Sequence, residues 1–135
     1  MATAFQLRIV TPTRLLLDEQ VREVTGPGTR GEFGVLPDHI TFLTSLEIGT
    51  MSYRTDRDTR RLAVRGGFAE VMNNVMTVLA DDAALPEDVD TTRARADLQA
   101  AEAQLKDLSP LDETYIAADG NRRWAQARLD LAAAR

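Results

Sequence analysis

The ten residues 31–40, GEFGVLPDHI, hold the side chains best suited to do chemistry in this sequence. Glu32 sits between two glycines, and His39 is the only histidine of the chain. An imidazole near a carboxylate can move a proton or bind a charged group. A general base also needs an orienting partner and a place for the reacting atom, and the sequence supplies neither. A lone histidine in a loop reads more simply as a turn or contact residue. Phe33, Val35 and Leu36 either close one end of a fold or face a partner, because apolar loop residues gain from being covered.

Other motifs fail on context. Residues 26–31, GPGTRG, match the glycine spacing of a dinucleotide fingerprint. That fingerprint needs a helix directly after it, and Gly31, Gly34 and Pro37 forbid one, so the stretch is expected to be a loop. A phosphate loop needs a lysine after glycine, but the sole lysine, Lys106, falls late in a helical segment. None of Ser45, Ser52 and Ser109 lies in a nucleophile elbow. The acidic group Asp81, Asp82, Glu87, Asp88 and Asp90 lacks the ligand spacing and central glycine of a calcium loop, and is better explained by helix capping and solvation. No metal site is expected. With no cysteine there are no thiolate ligands or nucleophiles. A net charge of −5 with scattered arginines argues against nucleic acid.

These residues need elements to hold them. Up to about Ala84 the chain reads as short strands. Phe5, Leu7 and Ile9 alternate with polar residues, as do Met51 and Tyr53, and Leu62 and Val64. Asn73-Asn74 between two apolar runs marks a tight hairpin. Turn signals recur at Gly26–Gly28, Pro37-Asp38, Gly49, Asp56–Asp58 and Gly66-Gly67, a spacing that predicts a β-sandwich or barrel.

After residue 85 the pattern becomes helical. Ala94, Leu98, Ala101 and Leu105 form one thin stripe, with Asp90 as N-cap. Ser109-Pro110 and Asp112 mark a second start, and Trp124, Ala127, Leu131 and Ala134 form a second stripe. Pro110 and Asp119-Gly120-Asn121 are expected to interrupt this second segment, since glycine costs about 1 kcal/mol and proline about 3 in a helix interior. Two such narrow faces predict an antiparallel pair that packs on itself, on the strands or on a partner. The expected division is residues 1–84 for the strands and 85–135 for the linker and helices. The N-terminus lacks a signal or transit pattern and no apolar run is long enough to span a bilayer, so a cytoplasmic protein is expected.

The stretches GEFGVLPDHITFLTSLEIG and VRGGFAEVMNNVMTVLADDA, in this order and spacing, resemble the two signature segments of the epsilon subunit of F-type ATP synthases, called delta in mitochondria. The likeness extends from FQLRIVTP into the helical segment. It implies a ten-stranded β-sandwich followed by a two-helix hairpin. It also implies a non-catalytic subunit of the central stalk, bound to the gamma subunit and to the membrane rotor c-ring, that rotates with both and couples proton flow to ATP synthesis. Such a subunit would be a peripheral protein at the cytoplasmic face of the bacterial inner membrane. Glu32 and His39, with Phe33 and Leu36, are the residues this resemblance assigns to the rotor ring.

The hairpin of many bacterial relatives extends into the alpha/beta catalytic head and blocks ATP hydrolysis, and some bind ATP when folded. Here VDTTRA matches the ATP-associated pattern at Asp90 and Arg93, but Ala84 and Ala100 stand where an acidic residue and an arginine are common. Arg122, Arg123 and Arg128 are the residues that would meet the head. The expectation is weak inhibition at most, no obligatory cofactor, and ATP at most as a weak regulatory ligand. The alternative is a nucleotide-sensing module that binds ATP at the hairpin.

Overall fold

A computed structural model describes residues 1–134; Arg135, the last residue of the helical part delimited above, lies outside the described residues. In chain order the strands are β1 (Phe5–Val10), β2 (Leu15–Val21), β3 (Glu23–Gly28), β4 (Gly31–Val35), β5 (Phe42–Ser45), β6 (Ile48–Arg54), β7 (Thr59–Arg65), β8 (Phe68–Met72), β9 (Val75–Leu79) and β10 (Ala83–Ala84). They form two five-stranded sheets, β2-β1-β9-β8-β5 and β10-β7-β6-β3-β4. Neighbours run antiparallel except β1 and β9, which are parallel. A single 3₁₀ turn, Pro86–Asp88, leads to α1 (Thr91–Lys106) and α2 (Glu113–Ala133). The sandwich and helical hairpin expected from the resemblance are both present.

Alternation places Phe5, Leu7 and Ile9 of β1 inside, opposite Met51 and Tyr53 of β6 and Leu62 and Val64 of β7. Full burial of each large aliphatic side chain contributes roughly 1.5–3 kcal/mol before entropy is counted. The β8–β9 turn uses Asn73 and Asn74 at φ 52° and 63°, the left-handed region that asparagine tolerates. Gly67 is obligatory: its φ is +101°, and a Cβ there would lie 2.0 Å from the Leu79 carbonyl oxygen. The core does not end with β10, since Leu85 also packs against it.

Three sequence expectations are corrected. The GPGTRG stretch is a β3–β4 hairpin and not a loop. Gly26, Pro27 and Gly28 are strand residues paired with Phe33, Glu32 and Gly31. The phenyl ring of Phe33 lies over the two glycines, filling the space their missing side chains leave. Pro27 is tolerated because the β3–β6 ladder stops at Thr25. Gly49 is likewise no turn. It lies within β6, packed beneath Pro27, where a Cβ would come 3.3 Å from the proline ring. Gly120 does not interrupt the second helix, and α2 runs unbroken through it. Tertiary packing outweighs the propensity cost there.

α1 and α2 form a hairpin, and α2 lies on β6 and β7. Trp124, Ala127 and Leu131 join Ala63, Ala84 and Val89 in a second, smaller core, flanked by Ile48. Asp90 caps α1, its carboxylate accepting the Arg93 N–H at 3.1 Å. Pro110 lies outside both helices, and Asp112 precedes α2. Among the described residues no helix is long and apolar enough to cross a membrane.

Candidate interaction surfaces

The segment between β4 and β5 is built from a chain of backbone anchors. Asp38 adopts φ 62°. Its carboxylate accepts the Ala2 N–H at 2.8 Å, and its own N–H donates to Asn74 Oδ1 at 2.8 Å. The Asn74 amide in turn donates to the Ala4 carbonyl at 2.9 Å. The N-terminal strand, the β8–β9 turn and this loop are thereby fixed to one another. Asn74 reads in the sequence only as a turn residue; its second role as loop anchor has no sequence signal.

His39 stacks edge-on against Phe42, centroids 5.7 Å apart, and Phe42 contacts Phe33 at 5.5 Å. The Nδ1–H of His39 donates a hydrogen bond to the Ile40 carbonyl oxygen at 2.8 Å, which leaves Nε2 without a hydrogen-bond partner among the described residues. An aromatic chain therefore connects the histidine to the strand that carries Glu32. The two polar groups do not meet. Glu32 is near the start of β4 and His39 lies past its end, with roughly 10 Å of strand between them. The Glu32 side chain is exposed and has no hydrogen-bond or ion-pair partner among the described residues. Phe33 is half-buried against the core, whereas Leu36 and Ile40 are exposed at 55% and 79%. Such an arrangement can present a carboxylate, an imidazole and two aliphatic side chains to another molecule. It has no oriented nucleophile.

A second surface escapes the sequence. The outer face of the β6–β7 sheet is covered by α2, but the outer face of the β1–β9–β8–β5 sheet is bare. Leu43, Phe68, Met72 and Leu79 are 69%, 57%, 44% and 55% exposed there. Register aligns Ser45, Phe68, Leu79 and Val10 across four strands. Alternation identifies these positions as outward, but cannot say which outward face the helices leave uncovered.

The hairpin residues divide differently. A groove of about 410 Å³ between hairpin and sandwich is lined by Arg65, Arg93, Arg128, Ala100, Asn121 and Trp124, among others. Asp90 is not among its lining residues and serves as the helix cap. Arg65 donates to Asn121 at 2.7 Å, and Arg128 pairs with Asp97 at 3.0 Å while lying 5.5 Å above the Trp124 ring. Arg93 has no side-chain partner among the described residues. Of the other two arginines, Arg122 pairs with Asp119 at 2.7 Å and Arg123 with Glu47 at 3.0 Å.

Perturbed titrations lie away from all three surfaces, at the β6–β7 end. A hydrogen bond from Arg22, reinforced by its charge, holds the Asp56 carboxyl below its ordinary range. Burial, with help from Glu19, pushes the Tyr53 phenol up.

Comparison with known proteins agrees with this architecture. Residues 4–86 match the family described as ATP synthase, Delta/Epsilon chain, beta-sandwich domain. An ATP synthase epsilon chain of Citrifermentans bemidjiense is 44% identical over 115 residues, covering 85% of this chain and 83% of that protein. One from Nitratidesulfovibrio vulgaris is 45% identical over 130 residues, covering 96% and 97%. A chain in the Euglena gracilis mitochondrial ATP synthase has the same fold, with a TM-score of 0.81 at 22% identity over 98% of this chain and 83% of that one.

Proposed function

Because the chain belongs to the ATP synthase delta/epsilon family, we propose that it is the non-catalytic epsilon subunit in the central stalk of a proton-translocating ATP synthase. The sandwich docks on the gamma subunit through the bare face of β1, β9, β8 and β5. Glu32, His39 and Leu36 meet the polar loops of the rotor c-ring, with Phe33 bracing them from within. The three components turn together and couple proton flow to ATP synthesis in the alpha/beta head. The protein is peripheral, at the cytoplasmic face of the bacterial inner membrane.

The observation that supports this reading best is the asymmetry of the sandwich. One outer face is sealed by α2, while the other leaves Leu43, Phe68, Met72 and Leu79 in solvent. Apolar surface of that kind favours a partner. The test is a pull-down with the matching gamma subunit, using the full chain and a truncation ending at Asp88, which keeps Leu85 on the core. Capture of both supports docking by the sandwich; failure of the full chain contradicts it.

The hairpin inhibits ATP hydrolysis weakly at most. The continuity of α2 removes one obstacle to extension, but its packing supplies another. Arg123 and Arg128 must give up Glu47 and Asp97 to reach the head, while Arg122 carries its partner Asp119 on the same helix, and Trp124 and Leu131 must leave their core. A severalfold rise in hydrolysis by the assembled enzyme on deleting residues 89–135 would overturn this.

A second reading, nucleotide sensing at the hairpin, draws support from the groove that gathers Arg65, Arg93 and Arg128. Only Arg93 is uncommitted, and Ala100 adds no charge, so binding would be weak. Calorimetry with ATP, lost in Arg93→Ala, would favour it.

A further inference from the structure

The bare sheet face is not uniformly apolar. On β8 the outward residues are Phe68, Glu70 and Met72, so a carboxylate stands between two exposed apolar side chains. Its cross-strand neighbours are Leu43 on β5 and Thr77 on β9. The same row continues to Arg8 on β1. That arginine is two strands away, roughly 10 Å at ordinary strand spacing, and lies 3.8 Å from Asp18. No hydrogen bond or ion pair engages the Glu70 side chain among the described residues.

In the free protein water solvates this carboxylate. A partner that covers Leu43, Phe68 and Met72 must strip that water away, and a charge buried without compensation strongly opposes association. Among the described residues its immediate cross-strand neighbours cannot compensate it, because β5 offers only leucine and β9 only a hydroxyl, and Arg8 is already drawn to Asp18. We propose that Glu70 is the specificity-determining residue of this face, accepting an arginine or lysine side chain from the partner that covers it. Arginine fits better, since its planar fork can engage both carboxylate oxygens while its flat face lies on the adjoining Phe68 ring. The apolar residues supply contact area and the carboxylate selects which surface is admitted. The proposal rests on the reading that this face docks on the gamma subunit.

The test measures affinity of the full chain for the purified gamma subunit at low and high salt, for wild type, Glu70→Gln, Glu70→Lys and Leu43→Ser. All three substitutions are at exposed positions, and thermal unfolding checks that each variant remains folded. Glu70→Gln is expected to weaken binding roughly tenfold or more and to flatten its salt dependence, and Glu70→Lys to weaken it further. Leu43→Ser should weaken binding with the salt dependence retained. If Leu43→Ser weakens binding but Glu70→Gln binds as well as wild type or better, the face docks without a cation and the proposal is overturned. If no variant changes affinity, the docking reading itself fails and takes the proposal with it.

Discussion

The ring of Phe33 rests on Gly26: a Cβ at that glycine would lie 2.8 Å from Phe33 Cζ and 3.1 Å from Met51 Cε. Only a glycine lets the ring lie flat across the β3–β4 hairpin. The same ring touches Phe42, which in turn supports His39. Gly26→Ala is therefore expected to lower stability by about 1–3 kcal/mol through overpacking. Urea denaturation would show a lower midpoint with an unchanged slope. An unchanged midpoint would mean that the ring has somewhere else to go.

That hairpin also shows where sequence reading fails. Phe5, Leu7, Ile9, Leu62 and Val64 are legible because their alternation is a property of each strand alone. Gly26, Gly28 and Gly49 mislead because what makes them strand residues is a neighbour supplied by another segment: the Phe33 ring or Pro27. The candidate surface divides in the same way. Glu32 and His39 stand out by their chemical type. The anchor Asn74 and the carboxylate Glu70 do not, because their meaning depends on which loop closes over a turn and which sheet face the helices cover.

Gly120 offers a contrasting substitution. A Cβ there would meet Ile48 Cδ1 at 3.8 Å and Arg65 Nη2 at 3.9 Å, ordinary contact distances in an unbroken helix. Gly120→Ala is expected to be neutral or to stabilise by up to about 1 kcal/mol. Trp124 is the only tryptophan and is buried at the α2–sandwich contact, so its fluorescence reports undocking directly. Undocking at lower denaturant in the variant would show that the backbone needs freedom at this position.

Asp56 should contribute to the acid limb of stability. Its folded pKa is lowered by the hydrogen bond from Arg22 and then by the arginine's charge. The unfolded chain therefore binds this proton more readily, and stability rises with pH across the interval between the two values. The contribution is complete above the ordinary carboxylate value of about 4 and is lost as pH falls through the folded value. Asp56→Asn should reduce stability near neutrality slightly and bring the variant and wild type together in acid. A gap that widens on acidification would contradict the assignment. The pair is exposed, so the effect is small.

Hydrogen exchange on the chain, free and bound to the gamma subunit, would locate the docking face. New protection is expected on β5 and the β8–β9 hairpin, residues 42–45 and 68–79, with little change in α1. Protection confined to the helices or to the β6–β7 sheet, with residues 68–79 exchanging as in the free chain, would contradict it.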